Sequence, residues 1–212
     1  MKKIFIKLRN KIIGFFGHLK FAFTIFPGIV YKQSGYKVKG IETNRVLTLI
    51  EPGDILVRGY DSFLSSRLIG KWSHVAIVVD RENIIHSVGK GVIKETIIDF
   101  CRTDRIAIMR IKPGLIQDND ITEAIYKAHH YLGTKYDYGF NFNDAEEFSC
   151  TELLNICFKH IGKIIGMHKR IFSILGLYEK EVIDPVMFLE SYDGLENIYS
   201  SDKCETNKRI TD

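Results

Sequence analysis

Cysteine is scarce and poorly spaced for cross-linking. The four, Cys101, Cys150, Cys157 and Cys204, include no Cys-x-x-Cys pair, which argues against a disulfide scaffold, the usual zinc patterns and a dithiol redox site. Only four prolines in 212 residues, with 45% hydrophobic and 26% charged side chains, exclude a collagen-like repeat, a low-complexity linker and an unfolded chain. No apolar run approaches the ~20 residues of a membrane-spanning helix. The nearest candidate, within Met1–Tyr31, is interrupted by His18 and Lys20. Acidic residues are absent from the first 40 positions, which hold nine Lys or Arg; the formal net charge of +4 less this +9 leaves −5 for the remainder. A basic head on a mildly acidic body argues against a body-wide nucleic-acid surface, and for a head that meets something anionic.

What is present suits one well-filled globular domain with an N-terminal appendage. We divide the chain into a basic segment, 1–45, a catalytic body, 46–200, and a polar tail, 201–212. In the head, Leu8, Ile12, Phe15, Phe16 and Leu19 recur at helical spacing while Lys7, Arg9, Lys11 and Lys20 fall mostly elsewhere, the pattern of a basic amphipathic helix ended by Pro27-Gly28. Such a helix suits an anionic bilayer surface or a berth on its own domain. Lysines before an apolar stretch also resemble a leader, but no small-x-small cleavage site follows. A cytoplasmic or peripheral-membrane location is therefore favoured, with export only if residues 1–31 act as a leader.

The body changes to short β-like runs at Asp54–Arg58, His74–Val79, Asn83–Val88, Gly91–Thr96 and Ile106–Ile111, separated by Gly, Asp and Asn turns. Helices follow. Asp118–Leu132 carries Ile121, Ile125, Ala128 and Leu132 on one stripe with Gly133 as a stop, and Ser149–Ile161 turns Leu153, Leu154, Cys157 and Ile161 inward. A meandering antiparallel sheet followed by helices predicts an α+β fold.

Ser149-Cys150-Thr151-Glu152 reads as a capping box and places Cys150 in the first turn of a helix. There the helix field and unpaired amides favour a thiolate, a nucleophile with an oxyanion hole at hand. Position alone does not separate this from a small buried cysteine. His74 opens an apolar strand, a rigid mount for a general base, and His86 follows twelve residues later on the strand that should pair with it. One imidazole could then take the thiol proton while the other orients it. The two share a face only if the connecting loop is odd-numbered, because a regular four-residue loop splits them unless a bulge intervenes. Of the remaining candidates, adjacent His129 and His130 cannot both face one site, His160 and His168 read as surface residues, and Lys94-Glu95 and Asp99 as exposed charges.

Gly133-Thr134-Lys135-Tyr136-Asp137-Tyr138 followed by Phe148-Ser149-Cys150-Thr151-Glu152-Leu153-Leu154 resembles the nucleophile region of the NlpC-type papain-like peptidases. Those place their His strand after the Cys; here Ser73-His74-Val75-Ala76-Ile77-Val78 precedes it, and Glu51-Pro52-Gly53-Asp54-Ile55-Leu56 is similar to the strand that opens the permuted domain. This order resembles the circularly permuted YiiX/YaeF-like amidases, with the lecithin retinol acyltransferase-like enzymes as relatives. The resemblance implies a circularly permuted papain-like α+β fold, an antiparallel sheet or barrel packed against helices. It implies Cys150 as nucleophile, His74 as base and His86 as the orienting residue. Tyr136 matches a loop tyrosine lining the site, or anchors the loop, and Ser73 and Trp72 flank the base as candidate substrate contacts. His86-Ser87 departs from the Glu-Ala of many YiiX-like chains and is closer to the His-His-Cys set of the acyltransferase-like relatives, which leaves the substrate open.

The function expected is thus a thiol hydrolase, a peptidase or amidase cleaving a small peptide, cell-wall derived in one version, with no cofactor and no metal. A lipid acyl hydrolase or acyltransferase at a membrane is the nearest competitor. A zinc module built on His74, His86 and Cys150, or a non-catalytic binding domain, belongs to other classes.

Overall fold

The computed structural model describes residues 35–61, 71–138, 146–158 and 193–201 in full, and the backbone of strands within 21–34 and 169–183. In chain order the elements are β1 (Phe21–Phe23), β2 (Ile29–Tyr31), α1 (Gly40–Leu49), β3 (Ile55–Gly59), β4 (His74–Val78), β5 (Asn83–Val88), β6 (Gly91–Thr96), α2 (Ile97–Phe100), β7 (Arg105–Ile111), α3 (Asp118–His130), α4 (Cys150–Cys157), β8 (Lys169–Ile174), β9 (Tyr178–Ile183) and β10 (Leu195–Ser200). Six strands form one sheet in the order β10-β7-β3-β4-β5-β6, and β1-β2 and β8-β9 form separate pairs. Every neighbour in the main sheet is antiparallel. The sheet is open, with β10 and β6 at its edges, so the barrel alternative does not hold.

Both faces of this sheet are covered, which explains why its strands read as near-continuous apolar runs rather than alternating ones. Odd-numbered Ile55, Val57, Val75, Ile77, Ile85, Ala107 and Met109 pack with Ala124 and Ala128 of α3, Leu153, Leu154 and Cys157 of α4, and Trp72. Even-numbered Leu56, Ala76, Val78, Ile84, Ile106 and Ile108 pack with Val46 of α1 and with Ile97, Phe100 and Cys101 at α2. Each fully buried aliphatic side chain stabilises by about 1.5–3 kcal/mol, so the sheet is held between two independent apolar layers.

Asp54, 2% exposed, staples β3 to β7: its carboxylate accepts Arg110 Nε at 2.7 Å and Nη2 at 2.8 Å. Gly91 has a φ of +106°, and a Cβ there would collide with the Thr134 carbonyl oxygen. That close approach lets Val92 donate to Thr134 O and Gly133 donate to Val92 O, which ties the loop after α3 to β6. Helix α3 carries acids in its first turn and Lys127, His129 and His130 in its last, complementing the helix field. It ends at His130, before Leu132, which is 40% exposed; the expected inward stripe therefore stops at Ala128.

Among the described residues no helix is long and apolar enough to cross a membrane. The basic helix expected over Leu8–Leu19 lies outside the described residues. Its expected extension to Pro27 is not what forms, because Phe21–Phe23 pairs with Ile29–Tyr31 across a connection containing Pro27-Gly28. Aromatic and β-branched residues flanking a Pro-Gly pair favour this hairpin over a continuous helix.

Candidate active site

Five residues, Val79 to Asn83, separate the last ladder pair of β4 and β5, Val78 opposite Ile84, an odd number. Asp80 Oδ1 accepts the amides of Glu82 at 2.8 Å and Asn83 at 2.7 Å, closing a tight turn, and Val79 donates to Asn83 O. The register that follows, Ile77 opposite Ile85 and Val78 opposite Ile84, puts His74 and His86 on one face as diagonal neighbours. Their rings meet: His74 Nε2 lies 2.9 Å from His86 Nδ1, and both pack against Phe100 at ring-centroid distances of 5.8 and 5.6 Å. His86 is 1% exposed. Its burial, helped by the nearby Arg58 charge, pushes its pKa down to about 3, so the imidazole is neutral.

Cys150 arrives from the opposite layer. The capping box forms as expected: Ser149 N donates to Glu152 Oε2 at 2.6 Å, and Glu152 N donates to Ser149 Oγ at 3.4 Å. Ser87 Oγ donates to the Phe148 carbonyl at 2.5 Å, fixing the start of α4 against β5. The β4–β5 ladder pairs only Ile77 and Val78 of β4, so the strands part at the His74 end. Amides of odd-numbered β4 residues turn toward β5, as Val79 shows, and the Val75 N–H lies close enough to the Cys150 sulfur to lower its pKa. The thiol thus rests on the peptide that immediately follows His74, where the sheet is open between its two layers.

Burial pushes the half-buried Cys150 thiol up to about 11, against the lowering effect of amides from Val75, Thr151 and Cys150 itself. The resting thiolate expected at a helix start is therefore corrected: desolvation of sulfur packed on an apolar core outweighs the helix end and its amides.

Tyr136 stands close by. Its phenol is raised well above the usual value by burial first, and then by the charges of Cys150 and Glu152. It packs on Tyr138 at 4.7 Å between ring centroids, and Tyr138 donates to Gly89 O at 3.1 Å, so Tyr136 belongs to an anchored loop. Trp72 does not line the site: at 1% exposed it fills the core on the α3/α4 side, because its indole is the largest apolar volume available there. Ser73 turns its amide, at 3.0 Å, and its hydroxyl, at 3.4 Å, toward the Arg58 carbonyl, main-chain contacts rather than a group offered to a substrate. His129 and His130 are exposed on α3, and His160 and His168 lie outside the described residues.

The sequence pattern predicts an exposed charge at Glu95, and the structure corrects this. Its side chain is 29% exposed, with Oε2 3.4 Å from His86 Nε2 and 3.9 Å from Arg58 Nη1. Burial raises its pKa, opposed by Arg58. The available signal was the two-residue turn Gly89-Lys90, which sets Ile84 opposite Glu95 and His86 opposite Ile93, leaving Glu95 diagonal to His86 on the same face.

The class these features define is the permuted papain-like amidases, with the sheet strands preceding the cysteine helix. A family profile described as permuted papain-like amidase enzyme, YaeF/YiiX, C92 family matches residues 49–194, and the chain belongs to that family. Among solved structures, the metalloprotein yiiX of Escherichia coli O157:H7 has the same fold, with a TM-score of 0.60 at 15% identity, over 72% of this chain and 98% of that one. A search of curated proteins finds no match. That neighbour is described as a metalloprotein; in this chain, among the described residues, no group of three or more His, Cys, Asp or Glu is arranged to hold a metal ion. His74 Nε2 and His86 Nδ1 are directed at each other, and the sulfur takes main-chain amides, so the donor set does not fit the zinc alternative.

Proposed function

We propose that the protein is a cysteine amidase that cleaves an amide bond in a small peptide, with Cys150 as nucleophile, His74 as base and His86 as its orienting partner. The thiol, protonated at neutral pH, gives its proton to His74 as sulfur attacks the carbonyl carbon. His74 Nε2–H donates to the neutral His86, which keeps the second nitrogen of His74 as the acceptor. The oxyanion would form beside the amides of Cys150 and Thr151 at the start of α4. Protonation of the leaving nitrogen by His74 breaks the C–N bond, and water then hydrolyses the thioester. The observation that carries this reading is the pair of imidazoles bonded at 2.9 Å, with the Val75 amide, one peptide on from His74, near enough to Cys150 to lower its thiol pKa.

The experiment compares wild type with Cys150→Ala and His74→Ala on a panel of peptidyl amides, cell-wall peptide fragments and fatty-acyl amides. Turnover of peptidyl substrates by the wild type alone is the expected result. Equal turnover by wild type and Cys150→Ala on every substrate overturns the proposal, and turnover confined to the fatty-acyl amides replaces the peptide with a lipid. The basic segment 1–31 is assigned an anionic membrane surface on its charge alone; salt-sensitive co-sedimentation with anionic but not neutral vesicles is the expected result.

A further inference from the structure

We propose that Glu95 is a positioning residue that decides which nitrogen of His86 carries its proton, and thereby keeps His74 able to accept the thiol proton. The proposal rests on the thiol-hydrolase reading above and deepens it. His86 Nε2 and Glu95 Oε2 are both buried with no hydrogen-bond partner, and they lie 3.4 Å apart. The groups around this contact come from three further elements. Arg58 of β3 places Nη1 3.9 Å from Glu95 Oε2 and its guanidinium carbon 4.3 Å from the centre of the Phe100 ring, Asp99 of α2 adds a second negative charge near Glu95, and His74 of β4 bonds the far side of His86.

One proton lies between His74 Nε2 and His86 Nδ1, and its owner decides the chemistry. If neutral His86 carries it on Nδ1, His74 accepts at Nε2; its own proton is then on Nδ1, and no nitrogen is left to take a proton from sulfur. If His86 carries its proton on Nε2, its Nδ1 accepts from His74 Nε2–H, and His74 Nδ1 is the base. A carboxylate has only acceptor positions, so ionised Glu95 at His86 Nε2 selects the second state. Arg58, its charge held over an aromatic face, favours the ionised form of Glu95.

The test is the nitrogen spectrum of histidine-labelled full-length protein, in which protonated and bare ring nitrogens are resolved, together with the iodoacetamide alkylation rate of Cys150 located by peptide mapping. In the wild type His86 should be protonated at Nε2 and bare at Nδ1. Glu95→Ala and the isosteric Glu95→Gln should move His86 toward the Nδ1–H form and slow Cys150 alkylation at pH 7 by about tenfold or more, with partial recovery in Glu95→Asp. A wild-type His86 protonated at Nδ1, or an unchanged tautomer and an alkylation rate within about twofold in Glu95→Gln, overturns the proposal. Should Glu95→Ala fail to fold, Glu95→Gln decides alone. The spectrum needs no turnover, so an inert Cys150 in the wild type refutes the hydrolase reading while the tautomers still decide the role of Glu95.

Discussion

Replacing His86 by Gln should remove a defined part of the acid sensitivity of this fold. His86 is held neutral with a pKa of about 3, mainly by burial, whereas in the unfolded chain it titrates near the ordinary histidine value of ~6.5. The unfolded state therefore binds a proton, between these two values, that the native state refuses. Stability tied to His86 is fully present above pH ~6.5 and is lost as pH falls toward about 3. Linkage puts the loss at roughly 2 kcal/mol by pH 5, rising to about 4–5 kcal/mol near pH 3, as an order of magnitude. Glu95 acts in the opposite sense, because its raised carboxyl binds a proton more readily when folded, so comparison at pH 5–7.5 limits its contribution. Urea titrations of both proteins across that interval should show the wild type losing about 2 kcal/mol more than His86→Gln. Parallel curves would mean that the native protein accepts the proton on His86, and the picture of a neutral acceptor behind His74 would be wrong.

Three further outcomes follow from other parts of the fold. In His74→Ala, alkylation of Cys150 should keep rising with pH without a plateau below pH 10, since its thiol is pushed up to about 11; Cys101 and Cys157, pushed up to about 12, should stay unlabelled in the folded protein. Gly91→Ala should destabilise by about 2 kcal/mol or more in urea, because it adds a Cβ at positive φ against the Thr134 carbonyl. Asp54→Asn should cost about 1–3 kcal/mol, because it removes the bidentate partner of a partly exposed Arg110 that still keeps Glu51 Oε2 at 3.1 Å, and a loss below about 0.5 kcal/mol would show that the bidentate pair does not hold β3 to β7.

Some of this architecture was legible because it is local. Asn83–Val88 and Gly91–Thr96 form strands with the boundaries expected, and the Ser149–Glu152 capping box follows from four consecutive residue types. The shared face of the two histidines hung on a single residue of loop length, and Asp80, whose side chain can mimic a turn in the main chain, tipped it. Burial was not legible in the same way. Trp72 looks identical in sequence whether it lines a cleft or fills a core, and Glu95 looks exposed until the register of two hairpins is combined. The thiol pKa failed for a related reason: a helix start is readable from a capping box, but the apolar surroundings of the sulfur are supplied by β4, Phe148 and α4 together, from positions far apart in the chain.

The imidazoles and the thiol come from opposite sides of a sheet that elsewhere separates two closed apolar layers, and this dictates where such a site can exist. A continuous ladder between β4 and β5 would commit the Val75 amide to the neighbouring strand and leave the Cys150 sulfur stacked on side chains, with its proton confined to the α3/α4 layer. The ladder instead stops after Ile77, and the Val75 amide lies near enough to the sulfur to lower its pKa. Each hydrogen bond the sheet gives up here costs on the order of 1 kcal/mol, and the thiol and the Ser87–Phe148 bond replace part of it. The parting of the two strands is therefore as necessary to the proposed chemistry as the side chains themselves.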